Sequence, residues 1–168
     1  MYMQKETGFW QNGEYILRSA KIEDCEEYYR QNFSPLDKEV IYYTKSKEYF
    51  SYDEVTSFFR LKINDKEYYH FLLIAKDGKI IGESVINEFN NGSANFRIAI
   101  FSQGHRSIGL GSWMINKTIE FAFNSLKLTS LELDVYSFNK RGLRAYEKAG
   151  FKRVYSNEDE IHMIIENN

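Results

Sequence analysis

The stretch Phe101–Phe123, FSQGHRSIGLGSWMINKTIEFAF, places three glycines, Gly104, Gly109 and Gly111, within eight residues. An alternating apolar run precedes it. A helical apolar pattern, Ile115, Ile119, Ala122 and Phe123 with Leu126 beyond, begins before the glycines end. A glycine within a helix costs roughly 1 kcal/mol against alanine, so two of them in a first turn call for compensation. One reading is a plain loop whose glycines serve turns. The other is an anion site: unpaired N–H groups at a helix start carry partial positive charge, and bare backbone lets a phosphate approach closely. Gly111 also falls one turn ahead of Ile115, where it is expected to let the helix start press close to the sheet.

Reading outward, residues 93–101 alternate as a strand, with Phe96, Ile98 and Ile100 on one face and Asn95, Arg97, Ala99 and Phe101 on the other. The Asp-Gly turn in KDGK (Lys76–Lys79) and the Asn-Gly turn in NNGS (Asn90–Ser93) join it to strands near 79–89 and 69–76. Upstream, EYILR reads as a short first strand. KIEDCEEYYRQNF reads as a helix, with Ile22, Cys25, Tyr29 and Phe33 at helical spacing and acids in its first turn. SYDEVTSFFRLKI reads as a second helix, whereas SPLDKEVIYYTKSKEYF shows no clear period. Downstream come the strand LTSLELDVY and the helix NKRGLRAYEKAG, with Gly150 as its C-cap, followed by a closing hairpin. The order β α α β β β α β α β β predicts an α/β (α+β) fold: a mixed, mostly antiparallel, splayed sheet of about seven strands with helices on both faces.

The 168 residues fit one domain, 1–168, and 43% apolar residues suffice for its core. A net charge of −2 gives no broad basic surface, which argues against a nucleic-acid partner. The single cysteine, Cys25, makes a reducing, cytoplasmic setting the expectation. No apolar run is long enough to span a bilayer, and MYMQKETGFWQNGEY lacks the charged and apolar blocks of a signal peptide.

Known glycine loops are separated by their fixed positions. Gly104 and Gly109 have P-loop spacing, but Leu110 stands where the lysine must be and Gly111 where the hydroxyl must be. The dinucleotide fingerprint fails at Met114, where a glycine is required. The segment RSIGLG (Arg106–Gly111) satisfies Arg/Gln-x-x-Gly-x-Gly/Ala at every fixed position. It resembles the coenzyme A loop of the GNAT superfamily of N-acetyltransferases. The stretch VYSFNKRGLRAYEKAGFKRV (Val135–Val154) resembles the second signature of that superfamily through Asn139, Gly142, Tyr146, Gly150 and Phe151. The resemblance extends over roughly residues 13–165. It is nearest to the branch holding spermidine acetyltransferases and acetyltransferases of ribosomal-protein N-termini.

The resemblance implies acetyl-CoA as cosubstrate, without a metal, and direct transfer of its acetyl group to a primary amine in a ternary complex. The acceptor would be a small molecule such as a polyamine or an aminoglycoside, or a protein N-terminus. The protein would be a homodimer if it follows its branch. A non-catalytic CoA-binding regulatory module of the same fold is the alternative. By the same resemblance the sheet splits between the strand ending near Phe101 and the one starting near Ser130. Backbone at Ile100 and Phe101 would hold the pantetheine arm. The N–H groups of Arg106, Ser107, Ile108, Gly109, Leu110, Gly111 and Ser112 would hold the pyrophosphate. Asn139 would touch the arm, and Tyr146 would be the general acid for the leaving thiolate, because thiols sit near pKa 8.5 and phenols near 10. The bare residues also allow plainer roles: Tyr146 as a core aromatic beside Leu143, and Asn139 as an N-cap.

Two departures matter. Asn95 stands where many relatives carry a glutamate, and asparagine takes no proton. Candidates for the general base are then Glu83 and Glu88 on the preceding strand, or a water chain, although strand glutamates are ordinarily solvated. His105 beside the loop is a further titratable group. Gln103 replaces the proline common before the arginine. The acceptor pocket is expected from residues 33–70, where VIYYTKSKEYFSYDE offers aromatics and acids either to a cation or to packing of helices on the sheet.

Overall fold

The computed structural model describes residues 4–168. Strands β1 (Phe9–Asn12) and β2 (Tyr15–Ser19) form a hairpin. A 3-10 turn at Ile22–Asp24 then leads into helix α1 (Cys25–Asn32), which is followed by α2 (Lys38–Thr44) and α3 (Tyr52–Lys62). The meander β3 (Tyr69–Ile74), β4 (Ile80–Asn90) and β5 (Ser93–Ile100) comes next. Helix α4 (Leu110–Glu120), prolonged by a π turn at Phe121–Ser125, crosses to β6 (Ser130–Tyr136). Helix α5 (Lys140–Ala149) and the hairpin β7 (Lys152–Ser156) and β8 (Glu160–Glu166) close the chain. The eight strands lie in the order β1-β2-β3-β4-β5-β6-β8-β7, all antiparallel except β5 with β6. Among the described residues, no helix is long and apolar enough to cross a membrane.

The sheet exceeds the expected seven strands by β1. That strand escapes a period-2 reading because Phe9 is exposed and only Trp10 is drawn inward. Trp10 supplies its anchor, packing edge-on against Phe71 and Phe121 with ring centroids 5.4 and 6.0 Å away. Helix α2 buries no residue fully, but Val40 and Ile41 pack against the core of α1 and α3. Its start is fixed by its N-cap, where the Asp37 carboxylate accepts from the N–H groups of Glu39 (3.0 Å) and Val40 (3.1 Å).

The alternation along β5 does set two cores. Phe96, Ile98 and Ile100 pack under α4 and α5 with Leu110, Met114, Ile115 and Leu143. Ala99 and Phe101 pack on the opposite face with Tyr28, Val55 and Phe59 of α1 and α3. Burying each such side chain contributes about 1.5–3 kcal/mol, enough to fix which way every residue of β5 points.

The parallel pair is short. β5 meets β6 at Ser93↔Ser130, Ala94↔Leu131 and Asn95↔Glu132. β6 keeps its pairing with β8 as far as Tyr136↔Glu160, and β5 keeps its pairing with β4 as far as Gly82↔Ile100. Beyond Asn95 the two strands therefore part, and the sheet opens into a cleft.

Candidate active site

Backbone register decides what faces the cleft. Phe101 N–H donates to Ile81 O at 2.8 Å, so that N–H and the backbone groups of Ala99 and Arg97 are spent on β4. Ile98 and Ile100 turn theirs the other way, toward the gap. The expectation for the thioester arm is corrected here. Phe101 has no cleft-facing N–H, and the carbonyl of Ile100 already accepts from Arg106 Nε at 3.1 Å. The groups left unpaired by β6 are the N–H and C=O of Ile98 and the N–H of Ile100.

Below the gap, Gly109 caps α4 in the left-handed region at φ 88, a conformation that favours glycine. Ser107 sits there too, at φ 63. Among the described residues, no protein acceptor bonds the N–H groups from Ser107 to Ser112, and the first helical bond runs from Trp113 N to Gly109 O at 3.1 Å. Arg106 stands apart from this set, because its own N–H is spent on Gln103 O at 3.3 Å. Its buried guanidinium bonds Asp37 and lies 3.2 Å from Glu39 Oε2. The side chain of Leu110 belongs to the core and that of Ile108 to the surface, so each offers the cleft only its backbone. Gly111 is not there for helix–sheet contact. A Cβ built on it would meet nothing nearer than Ile100 Cδ1 at 3.9 Å, so its bareness keeps the cleft open.

The far wall comes from α5. Asn139 is its N-cap, with Oδ1 accepting from Gly142 N–H at 2.9 Å. A Cβ at residue 142 would come within 2.6 Å of Asn139 Nδ2, which explains why the motif needs a small residue there. Tyr146 stands edge-on to Phe96, with ring centroids 6.2 Å apart, and lines the cleft. No protein group among the described residues bonds its hydroxyl, and burial pushes the phenol pKa up, so it is a proton donor throughout the neutral range. The cleft encloses about 410 Å³.

A second cavity of about 500 Å³ shares Val40, Thr44, Arg97, Ile98 and Ala99 with the first. Glu83 lies on its floor, 4% exposed, rather than solvated as strand glutamates ordinarily are. Tyr28 donates its hydroxyl to Glu83 Oε2 at 2.6 Å, His70 Nε2 meets the same oxygen at 2.5 Å, and Arg97 NH1 lies 3.6 Å from Oε1. Burial alone would raise the carboxyl pKa, but His70, Arg97 and the Tyr28 bond outweigh it and hold the group at about 2. Glu83 is thus a fixed anion, and the group it orients is His70, whose Nε2 it engages, leaving Nδ1 as the second ring nitrogen.

Glu88 falls elsewhere. It sits exposed at the β4 bulge, at φ 51, and lines neither cavity. His105 is likewise outside both, hydrogen-bonded to Ser102 Oγ at 2.7 Å. Of the aromatics in residues 40–54, Phe50 lines the second cavity and Tyr43 the first, while Tyr42, Tyr49 and Tyr52 are exposed. Sequence reasoning missed His70. The signal was the Asp-Gly turn: it fixes the β3–β4 register and so sets His70 diagonally across from Glu83 on one face.

A mixed sheet that opens between two parallel strands, with a bare helix start in the gap, defines the architecture of an acetyltransferase. Residues 14–152 match the acetyltransferase (GNAT) domain family, and the chain belongs to that family. It is 25% identical over 142 residues to the spermidine N(1)-acetyltransferase of Vibrio cholerae, covering 83% of this chain and 80% of that one. The SPbeta prophage-derived N-acetyltransferase YokL of Bacillus subtilis is 29% identical over 103 residues, and the match spans 60% of this chain but only 55% of that protein. The V. cholerae spermidine N-acetyltransferase in complex with CoA and spermine superposes with a TM-score of 0.78 at 24% identity, covering 92% of this chain and 96% of that one. The ribosomal-protein-S5-alanine acetyltransferase of Vibrio fischeri gives 0.79 at 16% identity, covering 96% and 97%. These two likenesses show the shared fold.

Proposed function

We propose that the chain transfers the acetyl group of acetyl-CoA to a primary amine by direct attack, with the thioester in the β5–β6 cleft and the amine in the cavity over Glu83. One observation carries the reading: β5 and β6 part beyond Asn95, and the edge so exposed runs between a row of unbonded N–H groups at Ser107–Ser112 and the free hydroxyl of Tyr146. These residues fit coenzyme A. The helix start offers donors to a diphosphate, Ile98 and Ile100 offer strand-like backbone bonds to an amide-bearing arm, and Asn139 retains its Nδ2 after capping α5. Acetyl-CoA brings an activated acyl group, and the protein's residues supply the proton transfers.

The roles divide across Ile98 and Ala99, which both cavities share. His70, oriented by Glu83, takes the proton of the attacking amine. The N–H groups on the cleft edge of β5 face the place where negative charge develops. Tyr146 protonates the departing thiolate. A free phenol on one side and an oriented imidazole on the other favour catalysis over a purely regulatory CoA module. A small amine as acceptor is supported by the V. cholerae relative named for spermidine. Self-association is supported by a dodecameric structure of that relative, and a cytoplasmic setting by the unpaired, buried Cys25.

The test is thiol release from acetyl-CoA across a panel of amines, paired with a melting curve in the presence of CoA. CoA is expected to raise the melting temperature, and at least one amine to release thiol. No shift with CoA and no release with any amine would overturn the reading.

A further inference from the structure

The charge balance of the second cavity narrows the acceptor, on the footing of the reaction just proposed. Its walls are Phe33, Phe50, Phe58, Phe59, Tyr68 and Phe101, and its volume of about 500 Å³ suits a ring-sized molecule. Its charged lining residues are two acids and two bases, and each acid is already matched. Glu83 faces Arg97 and accepts from Tyr28 and His70. Glu54 is bonded by Lys47 at 2.6 Å. Lys62 is matched in the same way, 3.1 Å from Asp65, and lies 5.5 Å from the Tyr68 ring centroid. No lining carboxylate is left for a second or third ammonium.

We infer that the acceptor is a monoamine carried on an apolar, ring-sized body, and that the cavity discriminates against polyamines. A single amine enters beside Glu83 and His70 with its body against the aromatic walls, and loses its charge as it reacts. A polyamine must bring further ammonium groups into the same apolar space, where an unmatched charge costs several kcal/mol.

The experiment compares 2-phenylethylamine and hexylamine with putrescine and spermidine. It reads thiol release from acetyl-CoA and, independently of turnover, the melting shift each amine adds to the CoA-bound protein. The expected result is a kcat/KM for 2-phenylethylamine at least tenfold above that for spermidine, with a larger melting shift. Phe58→Asp, at a half-exposed position of α3 in the cavity wall, is expected to move that ratio at least threefold toward spermidine. Spermidine turned over as well as or better than the monoamines overturns the inference. So does a CoA-stabilised protein that neither binds nor acetylates either monoamine, while thiol release with any other amine leaves the acetyltransferase reading standing. Silence with CoA and with every amine removes that reading and the inference with it.

Discussion

Arg106 donates through Nε to the carbonyl oxygen of Ile100 at 3.1 Å, and its guanidinium also grips Asp37 at the N-cap of α2. The arginine of the glycine motif therefore ties three things together: the end of β5, the start of the loop and the helix that roofs both cavities. Arg106→Ala would strand a half-buried carboxylate and an unpaired carbonyl, a loss of about 3 kcal/mol by analogy with other broken buried pairs. Urea unfolding should show that loss, and CoA affinity should fall with it because the loop is unpinned. Arg106→Lys should recover only part, since one ammonium cannot reach both acceptors in the fork geometry. An unchanged unfolding midpoint in Arg106→Ala would refute the tie.

Tyr146→Phe keeps the ring against Phe96 and Phe151 and removes only the hydroxyl. Among the described residues no protein group bonds that hydroxyl, so the melting temperature should stay within a degree or two, while kcat falls about 10²-fold or more. Because burial raises the phenol pKa, the wild-type rate should show no decline assignable to Tyr146 below about pH 10. Equal rates for the two proteins across pH would remove the acid from the scheme.

Much of this site was readable in advance, and the limits have physical causes. The alternation of β5, the two motifs and the crossover helix follow from periods and fixed spacings, and the sheet opens between β5 and β6, as the resemblance implies. Local pattern could not show that Ile100 O and Phe101 N–H are spoken for, because that depends on strand register and on an arginine arriving from the loop. Nor could it show that Glu83 is buried. A glutamate between Gly82 and Ser84 looks like any solvated strand residue until Tyr28, His70 and Arg97 converge on it from three other elements. Helix α2 is only seven residues long, with Val40 and Ile41 alone packed on the core, too short an apolar pattern to show a period.

Glu83 gives a stability signature. Its folded pKa lies at about 2, below the ordinary 4.5. A depressed carboxyl stabilises the fold above its unfolded pKa, and that contribution is lost as pH falls toward the folded value. Glu83→Gln should therefore lower stability by about 3 kcal/mol at neutral pH, and the gap to wild type should close between about pH 4.5 and 2. Urea unfolding at a series of pH values reads this directly. A constant gap across that range would mean that Glu83 is not held ionised by its partners.

His70→Gln separates proton acceptance from binding. The variant, relying on the small fraction of amine already uncharged, should start about 10²-fold lower in kcat/KM than wild type near neutrality. It should then climb roughly tenfold per pH unit toward the pKa of the amine. Two parallel profiles would assign His70 to structure alone.

Gly111→Ala distinguishes the two explanations for bare backbone at the start of α4. Were the glycine needed for helix–sheet packing, a methyl group would clash and the protein would lose stability. The structure instead leaves room, with Ile100 Cδ1 at 3.9 Å as the nearest atom, and Gly111 has no positive φ to protect. Alanine is the better helix former by up to about 1 kcal/mol, so the variant should melt at the wild-type temperature or a few degrees higher. The added methyl group projects into the cleft beside the unbonded N–H row, and CoA affinity should drop about tenfold. Gly104→Ala, equally free of contacts but outside the cleft, should change neither quantity. A Gly111→Ala protein that melts early and binds CoA normally would reverse the assignment, making the glycine a packing device and the cleft incidental to it.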